Sequence, residues 1–274
     1  MIQDIVREKV KAFPPLDDTV TKVMAICNDE NGSVGELAAV VQSDPMTMAN
    51  ILKAANSPLY GFSREIKSVS QAVSIFGMDA VKGFAFASFL QKKLDLNLTA
   101  YGIKTEMFTA ITEKQNAFAV SWFKKKRTML DTLALTSFLM EMGKIVLANI
   151  LIEEGKADEF RAMVEKTTSL AELEKLERSV FGITNEEVTA IIFQEWNFDE
   201  LMYDSIKNLH HPENATPEAK PYAQALHVIK TLISTKDFGQ ETQIQEATQL
   251  VETYGLEVDK FNEAMANYME SVPA

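Results

Sequence analysis

The chain has 274 residues, 46% of them hydrophobic, with a formal charge of −12 and an isoelectric point near 4.9. The composition excludes a disordered chain, and the acidity makes a nucleic-acid backbone or an anionic membrane a poor partner for the molecule as a whole. One cysteine, Cys27, excludes an intramolecular disulfide and a Cys-based zinc site and fits a reducing cytoplasm. The length suits one large domain or two subdomains. The N-terminus carries Asp4, Arg7, Glu8 and Lys9 where a signal peptide has its apolar core, and no apolar run is read as approaching the roughly 18 residues of a membrane span. A soluble, cytoplasmic protein is expected.

In chain order, Ile2, Ile5, Val6 and Val10 predict a short amphipathic helix that stops at Phe13-Pro14-Pro15, and Thr19 to Asn28 predicts the next. Ser33 with Glu36 is a capping box for a helix through Leu37, Val40 and Val41 that ends before Asp44. Asp44-Pro45 then opens a helix over Met46 to Ala55. The Asp44 carboxylate can accept first-turn amide hydrogens, and proline at the first helical position forfeits no hydrogen bond. Asn56 is expected to close this helix in the left-handed cap conformation, with Ser57 pushed out of the α region by Pro58. Tyr60-Gly61 turns the chain. Ser68 with Gln71 makes another capping box, and the stripe Val69, Ala72, Val73 and Phe76 ends at Gly77. Val81 to Leu94, with Phe84, Phe86, Phe89 and Leu90, reads as a helix packed on several sides, and Asn97 to Lys104 as a connector and candidate subdomain boundary.

Met107 to Phe123 predicts a long helix closed by Lys124-Lys125-Lys126-Arg127, a cluster that suits the helix dipole and a solvated turn. Leu130 to Ile152 is the most apolar helical segment, interrupted by Glu141 and Gly143-Lys144. Capping boxes at Ser169/Glu172 and Thr184/Glu187 start two further helices, the second closed by Trp196. Asp199 to Leu209, Pro217 to Ser234, and Glu241 to Met269 with a break near Gly255 complete an all-helical pattern, with no strand alternation, internal repeat or Gly-rich phosphate loop.

Phe13-Pro14-Pro15-Leu16, Glu36-Leu37-Ala38, Asp44-Pro45, Leu52, Ala55-Asn56-Ser57-Pro58-Leu59-Tyr60, Ile66, Ser68, Ala72 and Phe76-Gly77, in that order, resemble the HDOD family, a bacterial signalling domain related to HD phosphohydrolases. The resemblance runs from about Phe13 to His211. It implies an all-α protein in which an N-terminal helical subdomain, residues 1–100, packs on a degenerate HD-like helical bundle with C-terminal helices, residues 101–274.

HD hydrolases hold metal with a His on one helix, an adjacent His-Asp pair on the next and an Asp further on, because imidazole and carboxylate together suit divalent metals that activate water. In this chain His210, His211 and His227 all lie in the last quarter. Carried over by motif, Met140 and Glu141 stand where the His-Asp pair would be, and the helix of the first His passes through Thr112-Glu113. The family's Gly-x-x-His becomes Gly182-Ile183-Thr184-Asn185, and the late Asp becomes Lys230. No catalytic residue, metal ligand or cofactor is therefore expected. His210-His211-Pro212 survives from the family pattern. One expectation is a small polar pocket of His210, His211, Glu141 and Lys230 that binds an anion or a weak metal; the alternative is one ring hydrogen-bonded to a helix end and the other exposed. His227, between Leu226 and Val228, reads as a half-buried structural residue, and Cys27 as a small core residue.

The expected role is a non-catalytic bacterial signalling or regulatory domain. A chain of this length leaves no room for a separate output domain, so it is expected to bind a signalling protein in trans, with a small anionic ligand or a nucleotide as a further class of partner. A metal-dependent phosphohydrolase acting on a nucleotide or cyclic dinucleotide is the alternative that the histidine count opposes. A nucleic-acid-binding regulator rests only on Lys124 to Arg127. Asp44, Pro45, Asn56, Ser57 and Pro58 are read as structural. Leu59, Tyr60 and Phe62, on the loop from Pro58 to Glu65, are read as the partner-binding surface, between the subdomains and near His210-His211, with Tyr60 the more structural of the aromatic pair.

Overall fold

The computed structural model describes residues 2–29, 31–60, 65–93 and 96–271, and every regular element among them is helical. The first helices are α1 (Ile2–Lys11), α2 (Asp18–Asn28), α3 (Val34–Gln42), α4 (Pro45–Ala55), α5 (Val69–Phe76) and α6 (Met78–Lys93), with a 3₁₀ turn at Pro58–Tyr60. After a second 3₁₀ turn at Thr99–Tyr101 come α7 (Thr105–Phe123), α8 (Arg127–Leu139), α9 (Gly143–Glu153), α10 (Ala157–Lys166) and α11 (Leu170–Phe181). The last are α12 (Asn185–Glu195), α13 (Glu200–Lys207), a 3₁₀ turn at Pro212–Asn214, α14 (Lys220–Leu232), α15 (Gln240–Thr253) and α16 (Val258–Ser271).

Most helix entrances follow from local hydrogen bonding. Ser33/Glu36 and Thr184/Glu187 form complete capping boxes. At Ser68 and Ser169 the hydroxyl caps as expected, but Gln71 and Glu172 reach one residue further back and accept from the amides of Lys67 and Thr168 at 2.8 and 2.7 Å. The Asp44 carboxylate accepts from the Met46 and Thr47 amides at 3.1 and 3.0 Å and from the Lys92 ammonium at 2.8 Å. Burial pushes its pKa up, but Lys92 and Thr47 outweigh that and hold it well below the usual carboxylate range.

By their internal contacts the helices form two units. One comprises residues 14–95, 116–138 and 259–274; the other comprises residues 1–13, 96–115 and 139–258. Chain order alone divides the sequence at residue 100, whereas contacts place residues 1–13 with later helices and residues 116–138 and 259–274 with earlier ones. The core of the first unit includes the edge-to-face aromatic set Tyr60, Phe76 and Phe84, and a second set of Phe118, Trp122 and Phe261. Phe86 and Phe89 of α6 are fully buried there, as a helix packed on several sides requires. In the second unit Tyr101, Phe160 and Phe181 stack edge to face, and Phe193, Trp196 and Phe198 form another cluster.

Three expectations are corrected. The run Arg127–Glu153 is long and apolar enough to cross a membrane by length and composition, contrary to the reading that no run approaches that length; 89% of its apolar window is buried in the fold, and a turn at residues 140–142 breaks it. The stretch Asn97 to Lys104 is more than a connector, because Leu98, Ala100, Tyr101 and Ile103 are all buried. Asn56 ends α4 at φ −89° and ψ 7°, outside the left-handed region, because its side chain has other work. Its Nδ2 donates to the carbonyls of Leu52 and Ile66, each at 2.8 Å, and its Oδ1 accepts from the Ile66 amide at 2.8 Å. The asparagine that does take a left-handed conformation is Asn197, at φ 55° just past Trp196.

Asn56 thus satisfies both backbone groups of a residue ten positions away that is only 3% exposed. Asn56→Ala should lower the unfolding free energy by about 2 kcal/mol in urea titration, since it leaves buried backbone groups unpaired. Asn56→Asp, which can still accept from the Ile66 amide, should recover part of that loss. An unchanged midpoint for Asn56→Ala would show that water replaces the amide without penalty.

Candidate functional site

The unit formed by residues 1–13, 96–115 and 139–258 buries five ionisable side chains together. Glu141, Lys144, Glu177, Glu186 and Lys230 are each at most 3% exposed. Lysine and glutamate are almost never buried this fully unless paired.

Backbone packing brings them together. A Cβ on Gly143 would lie 2.1 Å from the Asn185 carbonyl oxygen, so only glycine lets the start of α9 abut the start of α12. Across that junction the Gly143 amide donates to Thr189 Oγ1 and the Lys144 amide to Asn185 Oδ1, both at 2.9 Å, while Asn185 Nδ2 donates to the Met140 carbonyl at 2.9 Å. Glu141 sits in the turn just before α9 and Lys144 one turn on, on the same side.

The Glu141 carboxylate is the hub. One oxygen accepts from Lys230 Nζ at 2.7 Å and from Gln115 Nε2 at 3.2 Å; the other accepts from Lys144 Nζ. Lys230 Nζ also lies 3.0 Å from Glu186 Oε1, which accepts from Asn185 Nδ2 at 2.9 Å and lies 3.4 Å from His210 Nε2. Glu177 accepts from the Tyr101 hydroxyl at 3.0 Å and from the Asn185 amide at 2.7 Å.

The charges nearly balance. Burial pushes the Glu141 carboxyl up, but the Lys144 and Lys230 ammonium groups more than offset it and hold its pKa at about 2. Burial likewise opposes ionisation of Glu186, yet Lys230 and then His210 keep it well below the usual range. Lys230 is disfavoured by burial, but Glu141 and Glu186 together raise its pKa. Two cations thus answer two carboxylates, and Glu177 is the third carboxyl. Burial, reinforced by the Glu186 charge, raises it to about 7 despite the two lysines.

The structure gathers His210, Glu141 and Lys230 of the expected pocket, joined through Glu186. His211 stands apart: it is 57% exposed, with its ring nitrogens 3.5 Å from Glu174 and 3.3 Å from Glu213. Its neighbour His210 meets a carboxylate, where a helix end was the alternative. His227 is half-buried, its Nδ1 2.7 Å from the Tyr254 hydroxyl; burial first, and then the nearby His210 and His211, lower its pKa to about 3, so the ring is neutral. Cys27 is half-buried, its thiol 3.7 Å from the Met78 carbonyl oxygen.

In the other unit, Leu59 is half-buried. The Tyr60 ring packs edge to face on Phe76 and Phe84, and its hydroxyl donates to Asn116 Oδ1 at 2.6 Å. Phe62 lies outside the described residues. Ser57 Oγ accepts from the Leu59 amide at 3.4 Å. Lys124 to Arg127 are exposed at the turn between α7 and α8, with Lys124 Nζ 2.7 Å from Glu263.

Sequence reasoning passed over Glu177, Glu186, Lys144, Gln115 and Tyr101 as members of the cluster. Glu177 had a visible signal, since it lies midway along the stripe Leu173, Glu177, Phe181, at a position that an amphipathic helix reserves for apolar residues.

A metal of the kind HD hydrolases use does not fit these residues. Thr112 spends its hydroxyl on the Thr109 carbonyl at 3.0 Å, Met140 offers a thioether, and the Asn185 amide is fully engaged. Glu141, the carboxylate at the position of the His-Asp pair, carries two ammonium groups. Among the described residues no three His, Cys, Asp or Glu side chains are arranged to hold a metal ion.

Comparison with known proteins places this geometry. The family model for the HDOD domain matches residues 13–212. A Shewanella amazonensis protein whose name assigns it provisionally as a phosphohydrolase superposes with a TM-score of 0.73 at 20% identity, covering 97% of this chain and 93% of that one. An HDOD domain protein of unknown function from Geobacter sulfurreducens gives 0.64 at 18% identity, covering 98% and 93%. A virulence factor from Campylobacter jejuni gives 0.60 at 24% identity, covering 100% and 98%. At these identities the likeness speaks to the fold, an HD-like helical architecture. No curated protein matches the sequence.

The raised pKa of Glu177 means that the folded protein keeps a proton that the unfolded chain releases above about pH 4.5. Stability should therefore be full below pH 4.5 for this group and fall as pH rises toward 7, by on the order of 3 kcal/mol. Glu141 acts oppositely: its contribution is complete above pH 4.5 and lost as pH falls toward 2. Glu177→Gln can keep both contacts, with Tyr101 accepting instead of donating, and should flatten the loss between pH 4.5 and 7 in urea titrations. Parallel pH profiles for variant and wild type would overturn this. Lys230→Met, which leaves Glu141 and Glu186 short of a cation, should destabilise by about 3 to 5 kcal/mol at pH 7.

Proposed function

This chain belongs to the HDOD family, and from that premise we propose that it is a non-catalytic regulatory domain that works in the cytoplasm by binding a signalling protein in trans. The observation that carries this reading is the Lys230 ammonium, 2.7 Å from Glu141 and 3.0 Å from Glu186, with Lys144 on the other oxygen of Glu141. A hydrolytic HD site needs its imidazoles and carboxylates free for divalent cations, which polarise phosphoryl oxygens and generate hydroxide. Here the protein supplies its own cations, and displacing either lysine leaves a buried charge unpaired.

A binding role requires a surface. Leu59 and Tyr60 border a groove of about 580 Å³ within their own unit, walled also by Ile75, Phe76, Ala117 and Lys124. Ile75 is 42% exposed. Tyr60 is engaged in packing and stiffens the wall, so Leu59 and Ile75 are the anchors offered to an apolar segment of the partner.

Elemental analysis of the purified protein should find no stoichiometric transition metal, and added manganese should elicit no hydrolysis of nucleotides or phosphodiesters. Two metals per chain, or a turnover abolished by Glu141→Gln, would sink the non-catalytic reading. For the surface, the proteins that the wild-type chain retains from a bacterial cytoplasm should be lost by Leu59→Ser with Ile75→Ser, whose melting temperature stays close to wild type. Tyr60→Ser should instead lower the melting temperature, by removing the Asn116 hydrogen bond and two aromatic contacts. Retention of the same proteins by the double variant would place the interface elsewhere.

A further inference from the structure

The unit that holds the charged network also carries a groove of about 320 Å³, remote in chemistry from the network and independent of the role proposed above. Arg7 of α1, Arg178 near the end of α11 and Lys207 at the end of α13 converge on it from three helices, and all three are exposed. Its apolar side is made by Ile183, Ala190 and Ile191. In a chain of formal charge −12, three cations on one small concavity run against the composition.

Their charges are not equally answered. Arg178 donates to Glu187 at 2.7 Å, and Glu187 also accepts from the Thr184 amide at 3.0 Å, so this pair is satisfied and the guanidinium is held in place. The Arg7 and Lys207 side chains make no hydrogen bond or ion pair with any described residue. The groove therefore presents about two unanswered positive charges, and a phosphomonoester carries about −1.5 to −2 at neutral pH. The guanidinium of Arg7 provides a planar fork that matches two phosphate oxygens, and Lys207 provides a point charge. Repulsion from the acidic remainder is largely screened beyond about 8 Å at physiological salt.

The geometry points to a binding site for a phosphomonoester-bearing small molecule of mononucleotide size. The volume lies at the lower end of the roughly 300 to 1,000 Å³ of small-molecule pockets, which suits one ring system with its phosphate. The apolar side formed by Ile183, Ala190 and Ile191 takes the flat face of the ring, while the cations take the phosphate.

The test is calorimetric titration of the full chain with the 5′-monophosphates of adenosine, guanosine, cytidine and uridine, with the corresponding nucleosides and inorganic phosphate as comparison probes. At least one monophosphate should bind saturably at a single site, with its nucleoside and inorganic phosphate each weaker by roughly tenfold or more. The double variant Arg7→Ala with Lys207→Ala should weaken that binding by about tenfold or more, while Arg7→Lys with Lys207 intact, which keeps the charge and loses the planar fork, should weaken it by a smaller factor. Both variants change exposed side chains, and unchanged thermal melts would confirm the fold. No saturable binding of any of the four, undiminished binding by the double variant, or equal affinity for inorganic phosphate would each overturn the proposal.

Discussion

The Glu141 carboxylate, with no exposure to solvent, cannot exist as an anion in the core unless cations meet it there. That requirement organises the unit around it. Lys144 comes from the same turn, but Lys230 comes from 89 residues further on, so α9 and α14 must close on each other for either charge to be tolerated. Glu186 on α12 then shares Lys230, and α12 can come near enough because Gly143 has no side chain to obstruct Asn185. A network of this kind is weak as a source of net stability, because desolvation of five ionisable groups opposes the Coulombic gain. Removing any one of its charged members leaves a partner buried without its counter-charge.

An ammonium group and a divalent metal ion perform part of the same task. Each draws carboxylates from different helices to one point in a dry interior, and each needs several oxygen partners to do so. Their chemical consequences differ. The ammonium carries one charge, donates directional hydrogen bonds and has no vacant coordination position, so it neither acidifies a water molecule nor polarises a phosphoryl oxygen. In the non-catalytic role proposed above, Lys230 draws Glu141 and Glu186 to one point without supplying a metal ion's chemistry.

How much of this was legible in sequence depended on how far apart the interacting residues lie. Helix entrances at Ser33, Asp44 and Thr184 were readable because cap and partner are within four residues. Asn56 was misread because its partner, Ile66, lies across a loop, and nothing local distinguishes an asparagine that adopts a left-handed backbone from one that uses its amide elsewhere. The apolar run from Arg127 was underestimated because its breaks at Glu141 and Lys144 were given more weight than its length. Within the site, Glu141 and Lys230 were reached through motif positions, whereas Tyr101 was hidden in a segment read as a connector, and its partner Glu177 lies 76 residues away. Lys144 and Asn185 were noticed as motif letters, but that the Lys144 amide donates to Asn185 is visible only when α9 and α12 are seen end to end.

The paired lysines also restrict which single substitutions the interior can accept. Replacing Glu141 alone leaves Lys144 and Lys230 short of a carboxylate, and replacing Lys230 alone leaves Glu141 and Glu186 short of a cation. At Gly143 even a methyl group would meet the Asn185 carbonyl. Because losing one partner of a buried pair removes about 3 to 5 kcal/mol from a total of roughly 5 to 15, each such single replacement takes a large share of the stability of the fold. The buried ionic set therefore tolerates replacement only in compensating pairs, whereas exposed side chains can be replaced singly.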